Sequence, residues 1–288
     1  MTIAVRHLTA ADLDWAAATL AATGLASRQP ELRRYMELEP SGYYAAEVDG
    51  RPAGLGGYVA YERLAFVGNM AVAQEFQGRG VGKAILTRLL EDIDGRGIPM
   101  TLLEATPEGE RLYRKCAFVE AHWTMAYTHT ARQASVSGAA IAVGPFRGEH
   151  LGEVAAFDGP RFGAPRRRVI ERFLADHPGR GLAARRPAGG IAGYLIAQPR
   201  IIGPWLADDG ETSEALLAAA LALPFDRPPV AYAPEPNAAA AALFARCGFT
   251  AHWESLRMFR DSAGTPGGSP GPVGRPDCLY GMAALAIG

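Results

Sequence analysis

The glycine-rich run Gln77-Gly78-Arg79-Gly80-Val81-Gly82-Lys83 is where residue types and spacing in this 288-residue chain most directly offer chemistry. It stands between a strand-like and a helix-like segment, where backbone N–H groups and the positive end of a helix dipole make an anion site. Glycine lets the backbone approach the anion, and Arg79 and Lys83 set two cations beside it. The spacing rules out two phosphate-binding motifs. A Walker A loop needs Gly where Gln77 stands and Ser or Thr where Ala84 stands. A dinucleotide fingerprint needs its third glycine at Lys83.

The elements that must hold this loop follow from periodicity. Residues 3–7 read as a strand and 9–22 as a helix capped by Thr9. Alternating runs at 43–48, 53–61 and 64–73 predict three antiparallel strands, the first two joined by Asp49-Gly50-Arg51-Pro52. After the loop, Val81, Ile85, Leu86, Leu89, Leu90 and Ile93 recur at helical spacing up to Gly95. A strand at 100–104 and a further helix complete a mixed α/β pattern.

That last helix occurs twice. Leu112-Tyr113-Arg114-Lys115-Cys116-Ala117-Phe118 is followed by His122-Trp123, and Leu243-Phe244-Ala245-Arg246-Cys247-Gly248-Phe249 by His252-Trp253. We read a duplicated domain: residues 1–130, a linker at 131–140, and 141–288, with the second copy repeating the later half of the first. In it, strands are expected at 189–197, 201–207 and 229–233, helices at 212–223 and 237–247, a flexible Gly/Pro/Ser-rich loop at 261–276, and a returning apolar strand within 278–287.

Composition bounds the function. At roughly 150 residues per domain the length fits two domains, and 49% hydrophobic and 20% charged residues describe a globular chain. A net charge of −1 gives no footprint for nucleic acid, and no apolar run is long enough to span a bilayer. Three scattered cysteines, Cys116, Cys247 and Cys278, suggest neither a disulfide framework nor a metal site. The expectation is a cytoplasmic, metal-free protein without nucleic-acid or membrane partners; a homodimer stays open.

At this point the sequence resembles the GCN5-related N-acetyltransferase superfamily, whose Gln/Arg-x-x-Gly-x-Gly/Ala hallmark is matched by Gln77-Gly78-Arg79-Gly80-Val81-Gly82. The resemblance implies tandem domains of that α/β fold and acetyl-CoA as co-substrate. By position, Gln77 to Lys83 would cradle its pyrophosphate, and Met70, Ala71 and Val72 would face its pantetheine arm. Leu112-Tyr113-x-x-x-Ala117-Phe118 is similar to the family's Leu-Tyr-x-x-x-Gly-Phe, with Ala117 for glycine, which makes Tyr113 the candidate acid for the departing thiolate. Thr106 stands where the family often has an asparagine that contacts the cofactor. The strand at 64–73 carries no acid or histidine, so the candidate base is Glu104, with a solvated carboxylate and water-mediated deprotonation as alternatives.

The second copy has Asp208-Asp209-Gly210-Glu211-Thr212 at the loop, Asn237 at the place of Thr106 and Phe244 at the place of Tyr113; it is not expected to bind CoA. Its segments Ile202 to Asp209, Phe162 to Arg166 and Tyr280 to Gly288 resemble the acetyltransferase-like domain fused behind such domains in bacterial proteins. His122 and His252 read as packing residues, and Arg166-Arg167-Arg168 as a solvated face or a contact for an acidic substrate. The expected activity is acetylation of a small-molecule primary amine by direct transfer. A non-catalytic acyl-CoA sensor and acetylation of a protein or peptide amine are the alternatives.

Overall fold

The computed structural model describes residues 1–25, 28–130, 141–262 and 273–288. The expected linker and most of the Gly/Pro/Ser-rich segment lie outside the described residues. The contacts divide into two units: Met1–Ala121 with residues 257–262 and Ile287, and His122–Leu256 with residues 273–286 and Gly288.

The first unit runs β1 (Ile3–His7), α1 (Leu13–Ala22), α2 (Gln29–Leu38), β2 (Tyr43–Val48), β3 (Arg51–Tyr61), β4 (Leu64–Val72), α3 (Val81–Gly95), β5 (Met100–Ala105), α4 (Pro107–Lys115) and the start of β6 (Val119–His129). Its strands lie in the order β1-β2-β3-β4-β5, antiparallel except for the parallel pair β4 and β5. Helix α3 buries Val81, Ile85, Leu86, Leu89, Leu90 and Ile93. Each such side chain contributes about 1.5–3 kcal/mol on leaving water. Glycines in β3 let α3 come close: a Cβ on Gly54 would lie 3.1 Å from both Val81 and Ile85, and one on Gly56 2.9 Å from Ile85. Helix α2 is not among the expected elements, although Leu32, Tyr35 and Leu38 give it a buried stripe and Pro30 stands in its first turn.

The second unit holds the rest of β6, then β7 (Ala142–Pro145), α5 (Leu151–Phe162), α6 (Arg167–Asp176), β8 (Gly181–Arg185), β9 (Ile191–Ala197), β10 (Ile202–Ala207), α7 (Gly210–Leu221), β11 (Val230–Pro234), α8 (Ala238–Arg246), most of β12 (Phe249–Asp261), and β13 (Leu279–Gly281). From β7 to β12 the order is strand, two helices, three strands, helix, strand, helix, strand, which is the order from β1 to β6. The whole fold is therefore duplicated, and not its later half alone. By contact the first unit runs to Ala121, and β6 pairs with β11 from Thr124 opposite Pro234 to Thr128 opposite Val230. The returning C-terminal strand is β13, antiparallel to β10 with Trp205 opposite Gly281.

Candidate functional site

The site of the first unit begins where β4 leaves its neighbours. Opposite Gly56 of β3, β4 places two residues, Asn69 and Met70, and Asn69 adopts a left-handed φ of 54°. This is a β-bulge, which bends a strand and re-aims its side chains. On the other edge, parallel pairing with β5 stops at Val67 opposite Leu103, while the strands continue to Val72 and Ala105. Beyond Val67 the ladder to β5 ends, so on that edge residues 68–72 have no strand partner. Met70, Ala71 and Val72 all lie on this stretch.

The chain then turns into the loop. Gly78 and Gly80 take φ of 72° and 87°, left-handed values that side-chain-bearing residues rarely adopt. Gly80 is the N-cap of α3 and supplies no capping side chain. The first intrahelical bond runs from Ala84 N–H to the Gly80 carbonyl (3.0 Å), so the N–H groups of Val81, Gly82 and Lys83 point out of the helix end without an intrahelical acceptor. The Gln77 amide donates to the Val72 carbonyl (3.1 Å) and ties the loop back to β4. The guanidinium of Arg79 lies 5.8 Å from the Phe76 ring and that of Arg51 5.2 Å. Arg51 belongs to the β2–β3 hairpin, so nothing local in the sequence pointed to it. A row of outward N–H groups with exposed cations beside it fits a pyrophosphate.

Helix α4 carries Tyr113. Thr106 is its N-cap and accepts from Gly109 N–H at 3.4 Å. The ring of Tyr113 folds back over the first turn, where a Cβ on Gly109 would come within 2.8 Å of it, and meets Phe118 edge-on at 5.9 Å. No described residue hydrogen-bonds its hydroxyl. Burial pushes the phenol well above its ordinary value, so it keeps its proton across the neutral range. Ala117 ends the helix at φ 65°, a left-handed conformation that the second copy meets with Gly248 at φ 76°.

Glu104, on β5, is not a solvated strand-end carboxylate. Its side chain is 3% exposed and accepts from Arg257 Nε at 2.5 Å, while the same guanidinium lies 5.0 Å from the Phe66 ring. Arg257 is 153 positions away in sequence and was not foreseen.

In the second unit the matching positions are filled from within. Asp209 is the N-cap of α7 and accepts from Thr212 N–H at 2.7 Å, taking up the donor that corresponds to Lys83 N–H in α3. Asp208 is paired with Arg161 (2.5 Å) and Arg186. Strand β13 lies along β10, the counterpart of β4. Asn237 caps α8 as Thr106 caps α4, accepting from Ala240 N–H and donating to the Leu279 carbonyl, each at 2.9 Å. Phe244 is fully buried against Trp205, Tyr127 and Phe249. Arg166 is no solvated charge: it is fully buried, bound to both oxygens of Asp158, which also accepts from Tyr194 Oη at 2.5 Å. His252 is exposed and His122 half-buried, the former at 3.1 Å from Thr128 Oγ1, so neither packs in a core.

A family model described as the acetyltransferase (GNAT) family matches residues 10–118, and another described as an acetyltransferase (GNAT) domain matches residues 154–269. Glucosamine 6-phosphate N-acetyltransferase 1 of Oryza sativa subsp. japonica is 38% identical over 58 residues, 20% of this chain; the match covers 35% of that relative's length. A solved Pyrococcus horikoshii protein assigned as an acetyltransferase aligns over 99% of this chain and 96% of its own, with a TM-score of 0.83 and 23% identity. A GCN5-related N-acetyltransferase from Sphaerobacter thermophilus covers 90% of this chain and 96% of its own, with a TM-score of 0.66 and 19% identity. At those identities the likeness to the solved structures is one of fold. Because GNAT models match both halves of the chain and the duplicated element order follows that fold, the chain belongs to the GNAT acetyltransferase family and carries two copies of its fold.

Proposed function

We propose that the first unit transfers the acetyl group of acetyl-CoA to the primary amine of a small molecule, directly and without an acyl-enzyme. The observation that carries this reading is the pairing of an open, uncapped helix end at Val81 to Lys83 with an edge of β4, residues 68–72, that β5 does not pair. Gln77, Gly78, Arg79, Gly80, Val81, Gly82 and Lys83 hold the pyrophosphate, and Met70, Ala71 and Val72 receive the pantetheine arm through the backbone groups that β5 does not pair. Thr106 acts by capping and orienting α4 rather than by touching the cofactor.

Acetyl-CoA supplies an already activated thioester, so the protein's share is positioning and two proton movements. Tyr113 arrives protonated and donates to the leaving sulfur. Proton removal from the amine is assigned to Glu104, whose carboxylate Arg257 engages, with water-mediated deprotonation as the alternative. The rice relative, named for an amino-sugar phosphate acceptor, supports a small-molecule amine.

A thiol-release assay over a panel of small amines tests the reading. Wild-type protein should release CoA with at least one amine, and Tyr113→Phe should lower kcat by about 10²–10⁴-fold, with the KM for acetyl-CoA little changed. Tight acetyl-CoA binding with no release for any amine would instead identify a non-catalytic sensor, and release with peptide amines alone would move the acceptor to proteins.

A further inference from the structure

Resting on that reading, we infer that the Tyr43 hydroxyl is a specificity contact for the acceptor, and that the acceptor is an amine with an oxygen on the carbon next to the amine-bearing one.

The two faces of the sheet differ beside the bulge of β4. Gly54 and Gly56 turn toward α3, because a Cβ on either would meet Ile85 of that helix. Gly57, the next residue, therefore faces the other way. There Tyr43 of β2, Gly57 of β3 and Gly68 of β4 stand in one row across three strands. A Cβ on Gly57 would lie 2.3 Å from the Tyr43 ring, so the ring crosses over that glycine. Its hydroxyl ends beside Asn69 of the bulge, with Tyr35 of α2, Tyr61 of β3 and Glu39 around it. The cradle belongs to α3, which leaves this opposite face to the acceptor.

Tyr43 is 1% exposed, and its hydroxyl oxygen is buried with no hydrogen-bond partner among the described residues; the Asn69 amide is near it without the geometry of a hydrogen bond. Two neighbouring groups are engaged elsewhere. Tyr61 Oη donates to the Ile287 carbonyl at 2.6 Å, and the Glu39 carboxylate accepts from Ala60 N–H at 3.1 Å and from Arg96 at 2.9 Å. An unmade hydrogen bond on a buried hydroxyl works against the fold, so this one calls for a partner from outside the chain.

Burial holds the Tyr43 phenol well above its ordinary value, so it stays protonated and offers a donor. The attacking nitrogen cannot take that hydrogen bond, since its lone pair must reach the thioester carbon. The partner is another acceptor atom close to the nitrogen, and an oxygen on the adjacent carbon meets that need. Asn69 precedes Met70 on the unpaired edge of β4, which puts the contact where the pantetheine arm delivers its thioester.

The test compares Tyr43→Phe with wild type in thiol release over matched amines, 2-aminoethanol with ethylamine and trans-2-aminocyclohexanol with cyclohexylamine, alongside thermal melts and acetyl-CoA titration. Wild type should favour the hydroxylated member of each pair by about 5–100-fold in kcat/KM. Tyr43→Phe should lose most of that preference and keep its acetyl-CoA affinity within about threefold. It should also melt no lower than wild type, because it deletes a buried hydroxyl that had no partner. A hydroxyl bonded within the fold would lower the melt instead, and that result overturns the inference. So does thiol release by wild type without the preference, or a preference that survives in Tyr43→Phe. If wild type binds acetyl-CoA yet releases no thiol with any amine, the acetyl-transfer reading fails and takes this one with it.

Discussion

The N-termini of α3 and α7 start from the same place in the same fold and end in opposite chemistry. At α3 the cap is Gly80, which is left-handed and offers no side chain, so the first-turn N–H groups stay available to an external anion. At α7 the cap is Asp209, whose carboxylate is itself the anion. The neighbouring acid does not simply repel a ligand, because Asp208 is spent on Arg161 and Arg186. The strand edge differs in the same sense: β5 leaves residues 68–72 of β4 unpaired, whereas β10 is covered by β13. On the proposed reading, the second copy differs in that its own groups occupy the positions corresponding to the first unit's helix end and strand edge while the fold is preserved.

Moving the cap of α7 onto α3 should have the largest effect. Gly80→Asp places a carboxylate at the helix end and a Cβ on a left-handed residue, so acetyl-CoA affinity should fall by at least about 100-fold by calorimetry while the circular dichroism is kept. Retained affinity would mean that the pyrophosphate sits elsewhere. The reverse exchange, Asp209→Gly, should create no acetyl-CoA binding, because β13 and Phe244 still occupy the other subsites. It should cost at most about 1 kcal/mol in a denaturant melt, as lost N-caps do. New binding there would show that the cap alone closes the second unit.

A smaller contrast concerns the turns that open α1 and α5. Thr9 N–H donates to Asp12 at 2.8 Å in one, and Arg147 N–H donates to His150 Nδ1 at 3.1 Å in the other. The hydrogen bond from Arg6 holds the Asp12 carboxyl well below its usual range. A depressed folded-state value stabilises the fold above the unfolded value of about 3.9 and loses that contribution as pH falls through and below it. Because Arg6 is partly exposed, we expect Asp12→Asn to cost no more than about 1 kcal/mol at pH 7. The gap from wild type should narrow only as pH falls from about 3.9 through the lower folded-state value in pH-dependent melts.

The sequence made the loop and the Tyr113 helix legible because each is a run of adjacent residues whose spacing carries its own geometry. Helix α2 escaped although Leu32, Tyr35 and Leu38 are buried, since Arg and Glu between them dilute the apolar signal. The opening half of the second unit escaped because Pro160 and Gly163 break the pattern of α5. Partners brought together by topology were out of reach: Arg257 for Glu104, Arg51 beside Phe76, and β13 along β10. Arg166 looked like part of a charged surface run because its partner Asp158 sits on the preceding helix and nothing in the run itself signals burial.

On the proposed reading, two copies of one fold provide one cofactor site. Calorimetric titration of the wild-type chain with acetyl-CoA tests it most directly. One site per chain is expected; two sites per chain, or a site that survives Gly80→Asp, would show that the second copy binds acetyl-CoA or that Gly80 does not hold it.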